Sequence, residues 1–262
     1  MIRAPKVLVF DSGLGGLTVF REVALLRPDA EFIYVADDAL FPYGRLNEAV
    51  VVARVADIVA RAVAVFAPDV IIIACNTAST LVLPSLRALY SEIPFVGTVP
   101  AIKPAASRSR SQMISVLATP GTVARDYTHD LVRTYAAHCD VTLVGSTLLA
   151  GLAEGFLRGH APSDAEILAE IEPCFIGSGD KRTDCVVLAC THYPFMANVF
   201  RRLAPWPVDW LDPAEAIARR ARFLVRQVAD AVHPDDQDFA VFTSGNPDFA
   251  TRRLMQGFGL RV

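Results

Sequence analysis

Apolar residues along the chain fall into short unbroken runs separated by longer stretches in which they recur every three or four positions. The runs are KVLVF (residues 6–10), EFIYVA (31–36), DVIIIA (69–74) and PFVGT (94–98), then MISVLA (113–118), DVTLVG (140–145), DCVVLA (184–189), VDWL (208–211) and FAVFTS (239–244). Their shortness and β-branched content predict strands. The periodic stretches between them predict helices beginning at Leu17, Leu46 and Ala78. Further helices are expected over Thr122–Ala137, near Leu148–Leu157, in YPFMANVFRRL (193–203), over Asp212–Ala231, and after the last strand. Strand and helix in alternation imply parallel sheets covered by helices on both faces, since each crossover returns the chain to the same sheet end.

The alternation restarts after Thr98, which predicts two similar doubly wound α/β domains with mainly parallel sheets. Proline-rich turns place them at residues 1–99 with 208–262, and at 100–207. The two blocks also repeat in detail. VLVFDSGLGG and ISVLATPGTV each lead a strand into small and hydroxyl residues, while IIIACNTAS and VVLACTHYP each lead one into Ala-Cys and two polar residues. Asp11 to Thr119 and Cys75 to Cys190 are offset by 108 and 115 residues, in the same order. A pseudo-twofold pair of domains with a ligand cleft between them is the expected arrangement.

Composition narrows the partner. A formal charge of −3, from 25 basic and 28 acidic residues without a long run of either sign, gives no footprint for nucleic acid or an anionic membrane. Residues 49–68, the longest apolar stretch, are interrupted by Arg54, Asp57 and Arg61 and read as an amphipathic helix, not a membrane span. No secretory signal is visible, so a cytoplasmic location is expected. SRSRSQ (107–112), the one biased patch, reads as a solvated loop. The five cysteines are odd in number and dispersed, which predicts thiols, no disulfide framework and no metal site.

In open α/β sheets ligands bind beyond the carboxyl ends of the strands. Asp11, Asp37, Cys75, Thr119 and Cys190 all fall there. The helix following Cys75 would aim its positive end at that thiol, favouring a thiolate or an anionic ligand. His192 lies two residues beyond Cys190, on the same side of an extended segment, and could exchange the thiol proton. His129, His138, His160 and His233 have no such company. DSGLGGLTV matches a dinucleotide fingerprint weakly: Thr18 occupies the third glycine position and Asp11 sets a carboxylate where a pyrophosphate would lie. In FPYG (41–44), Tyr43 and Gly44 form an ordinary turn whose backbone and phenol could hold a carboxylate. Glu154, Asn76 and Thr77 taken singly are ordinary solvated or capping residues. Two thiols facing each other, however, could remove a proton from one face of a carbon and return one to the other. A stereocentre would then invert without any cofactor.

FDSGLGGLTV, FPYG, ACNTAS, VPAIKPA, LATPGTV and CTHYP together resemble the cofactor-independent aspartate/glutamate racemase family, in its order and as far as about Pro194. The resemblance implies racemisation of glutamate, for peptidoglycan, by an isomerase that is a homodimer. It implies that Cys75 deprotonates D-glutamate and Cys190 L-glutamate, with Asp11 and His192 assisting and Glu154 supporting the second thiol. Substrate contacts would come from Asp11, Ser12, Tyr43, Gly44, Asn76, Thr77, Thr191 and His192, with Thr119 and Thr122 added. Leu40 stands where arginine is frequent and Ala189 where glycine is common. Ten residues precede Asp11, fewer than the extension with which some members sense a cell-wall precursor, so activation of that kind is not expected. A racemase of the same family acting on aspartate or another acidic amino acid is the nearest alternative. A Cys190/His192 hydrolase would leave Cys75 idle, and a nicotinamide-binding module would leave both cysteines unexplained.

Overall fold

The structure is a computed structural model that describes residues 3–225 and 238–262. In chain order it contains β1 (Lys6–Asp11), α1 (Leu17–Leu26), β2 (Glu31–Ala36), α2 (Glu48–Phe66), β3 (Val70–Ile73), α3 (Asn76–Leu89) and β4 (Phe95–Gly97). Next come α4 (Ile102–Arg108), β5 (Met113–Ala118), α5 (Pro120–Val123), α6 (Asp126–Tyr135), β6 (Asp140–Gly145), α7 (Leu149–Leu157) and α8 (Asp164–Ile171). A small hairpin, β7 (Gly177–Ser178) and β8 (Lys181–Arg182), leads to β9 (Cys185–Ala189), α9 (Ala197–Leu203) and β10 (Asp209–Leu211). The chain ends with α10 (Ala214–Leu224), β11 (Phe239–Phe242) and α11 (Phe249–Gly257). It divides into two units, Met1–Thr98 with Ala214–Val262, and Val99–Pro213.

The first unit holds a parallel sheet of order β11-β2-β1-β3-β4, and the second a parallel sheet of order β10-β9-β5-β6. Counted from each unit's own first strand, the four shared strands run 2-1-3-4 in both. β10 pairs with β9, so the chain leaves the second unit after this strand and not at the proline turn before it. In each sheet the strand order reverses between the first and third strands, β1 and β3 or β5 and β9. Such a switch point leaves a crevice at the strand ends that no crossover covers.

Burial explains why these runs are strands. Every residue of β3, β5 and β9 is buried, as a sheet covered on both faces demands. In the first core, Leu8, Phe10, Ile33, Val35, Ile71 and Ile73 meet Val51, Val55, Ile58, Val59 and Ala62 of α2 and Ala78, Val82 and Leu86 of α3. The α2 set recurs at helical spacing, with Arg54, Asp57 and Arg61 on its other side, as an amphipathic helix requires. Asn47 caps α2 by accepting from the Ala49 amide at 2.9 Å, so the helix begins two residues after Leu46. Among the described residues no helix is long and apolar enough to cross a membrane.

The helix expected over Thr122–Ala137 is two helices. Arg125 takes an extended conformation (φ −76°, ψ 137°), and the Thr128 hydroxyl donates to the Thr122 carbonyl at 2.7 Å, closing the first helix and opening the second. YPFMANVFRRL likewise begins as a 3₁₀ turn, Tyr193–Met196, before α9. Helix α4, helix α8 with its Ser163/Glu166 capping box, and the hairpin were not anticipated. SRSRSQ ends helix α4 and from Ser109 is a gathered turn in which the Asp184 carboxylate accepts from the Ser109 hydroxyl and the Arg110 and Ser111 amides. The part of the last long helix expected beyond 225, and His233, lie outside the described residues.

Candidate active site

At the switch point of the first unit, β1 ends in Asp11 and β3 is followed by Cys75, which caps α3. The Ser79 amide donates to the Cys75 carbonyl at 2.9 Å, so the fourteen-residue helix opens directly after the thiol and brings its positive end there. The strand end is held by side chains. Ser79 and Thr98 both donate to the Ile73 carbonyl, at 2.7 and 3.2 Å.

Asp11 is fully buried, and its carboxylate accepts from the Gly13 amide at 3.1 Å. Tyr34 donates to the Gly13 carbonyl at 2.8 Å, which fixes the glycine turn. A Cβ on Gly16 would lie 2.6 Å from Asp11 Cβ and 2.8 Å from the Tyr34 hydroxyl, so this position needs glycine for close approach. Gly16, the last glycine of DSGLGG, therefore lets the start of α1 pack against Asp11. Ser12, Asn76 and Thr77 are buried at the same strand ends. Neither polar atom of the Asn76 amide has a hydrogen-bond partner.

Tyr43 is buried too, but its phenol is engaged. It donates to Asp37 at 2.5 Å, and Asp37 is gripped by the Arg54 guanidinium at 2.6 and 2.9 Å and by the Thr243 hydroxyl at 2.5 Å. Burial would raise the Asp37 carboxyl, yet the hydrogen bonds from Arg54, Thr243 and Tyr43 outweigh it and hold the pKa below the ordinary carboxylate value. Burial first, then the bond to Asp37 and the charges of Asp37 and Cys75, push the Tyr43 phenol far above its usual range. The phenol hydrogen expected to face a carboxylate is given to Asp37. What the turn offers is the backbone around Tyr43 and Gly44.

At the switch point of the second unit, Thr119 follows β5 and Cys190 follows β9. The Thr119 and Thr122 hydroxyls are 3.1 Å apart, and both residues are buried. Cys190 Sγ lies 3.9 Å from His192 Nδ1, and Thr191 Oγ1 lies 3.4 Å from the same nitrogen. The pairing of Cys190 with His192 holds, although its cause differs from the expectation. β9 stops at Ala189, and His192 (φ −76°, ψ −31°) reaches back through a tight turn, not along an extended strand.

On its other side, His192 Nε2 is 2.7 Å from Glu154 Oε2 on α7, and the second Glu154 oxygen accepts from Arg158 at 3.0 Å. Glu154 is buried, not solvated. An ionised carboxylate only accepts, so Nε2 carries a hydrogen in either charge state of the ring, and Nδ1 is the nitrogen that exchanges a proton with the thiol. Burial would lower the His192 pKa, but the hydrogen bonds to Cys190 and Glu154 prevail and raise it well above 6.5. The imidazole is thus basic enough to hold the proton that Cys190 gives up, with Nδ1 then donating to the thiolate and Nε2 to Glu154. Sequence reasoning missed Arg158, whose signal was its place four residues after Glu154 on a helix. It also missed the Arg54 and Thr243 grip on Asp37, which no local spacing announces.

The other thiols differ. All five cysteines are outside disulfides, as expected. Burial pushes Cys174 up to about 12, and burial with the Asp184 and Asp209 charges does the same for Cys185. These two are packing residues.

A parallel α/β fold of two units, each with a thiol at its switch point, defines an enzyme of the kind that works on small ligands at strand ends. The Asp/Glu/hydantoin racemase profile matches residues 21–221, and the chain belongs to that family. Among curated relatives, the glutamate racemase of Agrobacterium fabrum is 66% identical over 256 residues, covering 98% of this chain and 94% of that protein. That of Rhizobium meliloti is 64% identical over 257 residues, covering 98% and 92%. Among solved structures, Escherichia coli glutamate racemase in complex with L-glutamate and the activator UDP-MurNAc-Ala superposes with a TM-score of 0.89 at 37% identity, covering 98% of this chain and 96% of that one. The Thermus thermophilus glutamate racemase in complex with β-chloro-D-alanine gives 0.71 at 29%, covering 99% and 94%. The racemase resemblance read from six short motifs therefore extends over nearly the whole chain.

Proposed function

We propose that the protein interconverts L- and D-glutamate by two-base proton transfer at Cα, with no cofactor. Cys75 removes the proton from D-glutamate and Cys190 from L-glutamate, and each thiol in turn donates to the opposite face of the planar intermediate. The observation that carries this reading is the equivalence of the two thiols: each lies two residues beyond the residue that pairs with Phe10 or Leu117, in sheets of the same strand order. The curated relatives named above supply the substrate.

The two thiols have different helpers. Cys190 has the His192–Glu154 pair, which can shuttle its proton. Cys75 has the start of α3 and the buried Asp11 carboxylate, suited to the substrate ammonium and to the proton balance beside a thiolate. Asn76 brings an amide with no internal partner, a donor and acceptor for the amino-acid head group. Ser12, Thr77 and the backbone at Tyr43 and Gly44 complete the contacts of this unit, and Thr119, Thr122, Thr191 and His192 those of the other. A homodimer in the cytoplasm, supplying D-glutamate to peptidoglycan, completes the reading.

The deciding experiment incubates the purified protein with L-glutamate in heavy water, without added cofactor. Loss of optical rotation together with deuterium at Cα supports the reading; retained rotation with folded protein and reduced thiols sinks it. Aspartate in a parallel arm tests the shorter side chain. Cys75→Ala and Cys190→Ala each abolish racemisation, and full activity in either variant refutes the two-base scheme. Light scattering of the eluted protein tests the dimer.

A further inference from the structure

No sequence motif ties the C-terminal stretch to the site, yet β11 ends against the turn that carries Tyr43. The Thr243 amide donates to the Ala36 carbonyl at 3.0 Å, its hydroxyl donates to Asp37 at 2.5 Å, and the same oxygen accepts from the Ala39 amide at 3.3 Å. Ser244 binds Asp38 through its amide and hydroxyl at 3.0 and 2.6 Å.

Asp37 is a saturated hub. One carboxylate oxygen accepts from Arg54 at 2.6 Å and Thr243 at 2.5 Å; the other accepts from Arg54 at 2.9 Å and Tyr43 at 2.5 Å. Four acceptor sites are thereby filled by donors from α2, the residue after β11 and the turn itself. Between Asp37 and the start of α2 the chain has only two three-residue 3₁₀ turns, 38–40 and 43–45, and few backbone bonds of its own. Its path is therefore set by what the Tyr43 phenol and the Asp37 carboxylate are tied to.

We propose that Thr243 and Arg54 are positioning residues for the reaction: acting through Asp37, they hold the Tyr43–Gly44 backbone in place for the substrate. This rests on the reading of Tyr43 and Gly44 as substrate contacts in a glutamate racemase. Neither residue touches the reacting carbon. Both fix the ring that fixes the backbone, and a neighbour that recruits a distant strand in this way acts on binding more than on proton transfer.

The test is a cycle of Thr243→Val, Tyr43→Phe and the double variant, with Thr243→Ser as the conservative control. Thr243→Val raises KM for glutamate roughly tenfold, the size of one lost hydrogen bond to a charged group, and leaves kcat within about twofold. Thr243→Ser restores KM, and the double variant is no worse than Tyr43→Phe, because both act along one path. Unchanged KM in Thr243→Val, no recovery in Thr243→Ser, or multiplying effects in the double variant overturns the proposal. Arg54→Lys keeps the charge and loses the fork, and it is read in the same way. A second readout needs no turnover: in protein labelled at tyrosine Cζ, the signal lost in Tyr43→Phe shifts in Thr243→Val and not in Thr243→Ser. An unmoved signal overturns the positioning role. Wild-type protein that does not racemise glutamate overturns the function and leaves this signal to decide the positioning.

Discussion

Replacing Glu154 by glutamine tests the proton path to Cys190 with a change of a single charge. Glu154 and His192 are both buried, so water replaces neither partner. Arg158 donates to one oxygen at 3.0 Å, which forces the glutamine carbonyl to that side and its NH₂ toward His192. Nε2 must then accept, the ring hydrogen moves to Nδ1, and Nδ1 faces Cys190 as a donor. The imidazole becomes unable to take the thiol proton. It also loses a charge-assisted hydrogen bond of about 1.5–3 kcal/mol, which corresponds to a fall of roughly 10- to 150-fold in kcat/KM.

The assay must say which thiol was affected, because a racemase with an equilibrium constant of one has equal kcat/KM in both directions. Isotope effects separate them. With L-glutamate deuterated at Cα, transfer to Cys190 becomes more rate-limiting in Glu154→Gln, and the isotope effect rises. With deuterated D-glutamate the labelled step is at Cys75 and the slow step lies after it, so the effect falls. Equal changes on both sides, or wild-type kcat/KM, would refute the assignment of Glu154 to Cys190 through His192.

Three further outcomes follow from the same geometry. Because the folded His192 pKa lies above 6.5, its contribution to stability is complete below pH 6.5 and is lost as pH rises through the folded value; urea titrations above pH 6.5 show declining stability, and Glu154→Gln flattens that decline. Asn76→Ala removes a buried amide that has no internal partner, so the unfolding free energy stays level or rises while KM for glutamate increases at least about tenfold; a large loss of stability would mean the amide is structural. Gly16→Ala forces a methyl against Asp11 and Tyr34 and lowers stability by about 1–3 kcal/mol in urea unfolding, together with activity; a neutral effect would show that Asp11 can move without consequence.

Most of the fold was legible because it rests on periodicity. β1 to β6, β9, β10 and β11 lie on the short apolar runs, and helices follow them, since buried parallel strands cannot be written any other way. What stayed hidden depends on distant partners. Arg125 breaks a helix that propensity would continue, because Thr128 reaches back to Thr122. The Tyr43 phenol looked available and is taken by Asp37, which is gripped by Arg54 17 residues away and Thr243 206 residues away. Glu154 looked solvated, and only the packing of α7 near the His192 turn shows that it is buried. In each case a side chain was visible and its partner was not.

The repeat itself was visible, but its register was not, and register changes the chemistry. The motif match sets Asp11 against Thr119, whereas the sheets pair Phe10 with Ile73 and Leu117 with Leu188, each two residues short of its cysteine. Phe10 therefore corresponds to Leu117, Ser12 to Thr119, and Asp11 to Ala118. The one-residue slip arose because the match paired two polar residues, Asp11 and Thr119, and not two equivalent strand positions. Its consequence is that the second unit has a methyl group where the first has a carboxylate. On the proposed two-base mechanism, a thiol beside Ala118 has to find its acid and base elsewhere, and the turn after Cys190 offers His192 and, behind it, Glu154. The two halves thus keep the same thiol position and fill the position beside it differently. Restoring a carboxylate with Ala118→Asp would place a buried negative charge at the end of β5, opposite the residue before Cys190, disfavouring a thiolate there. The variant should lose activity despite making the halves more alike, and a gain would show that the matching of helpers across the repeat had been misjudged.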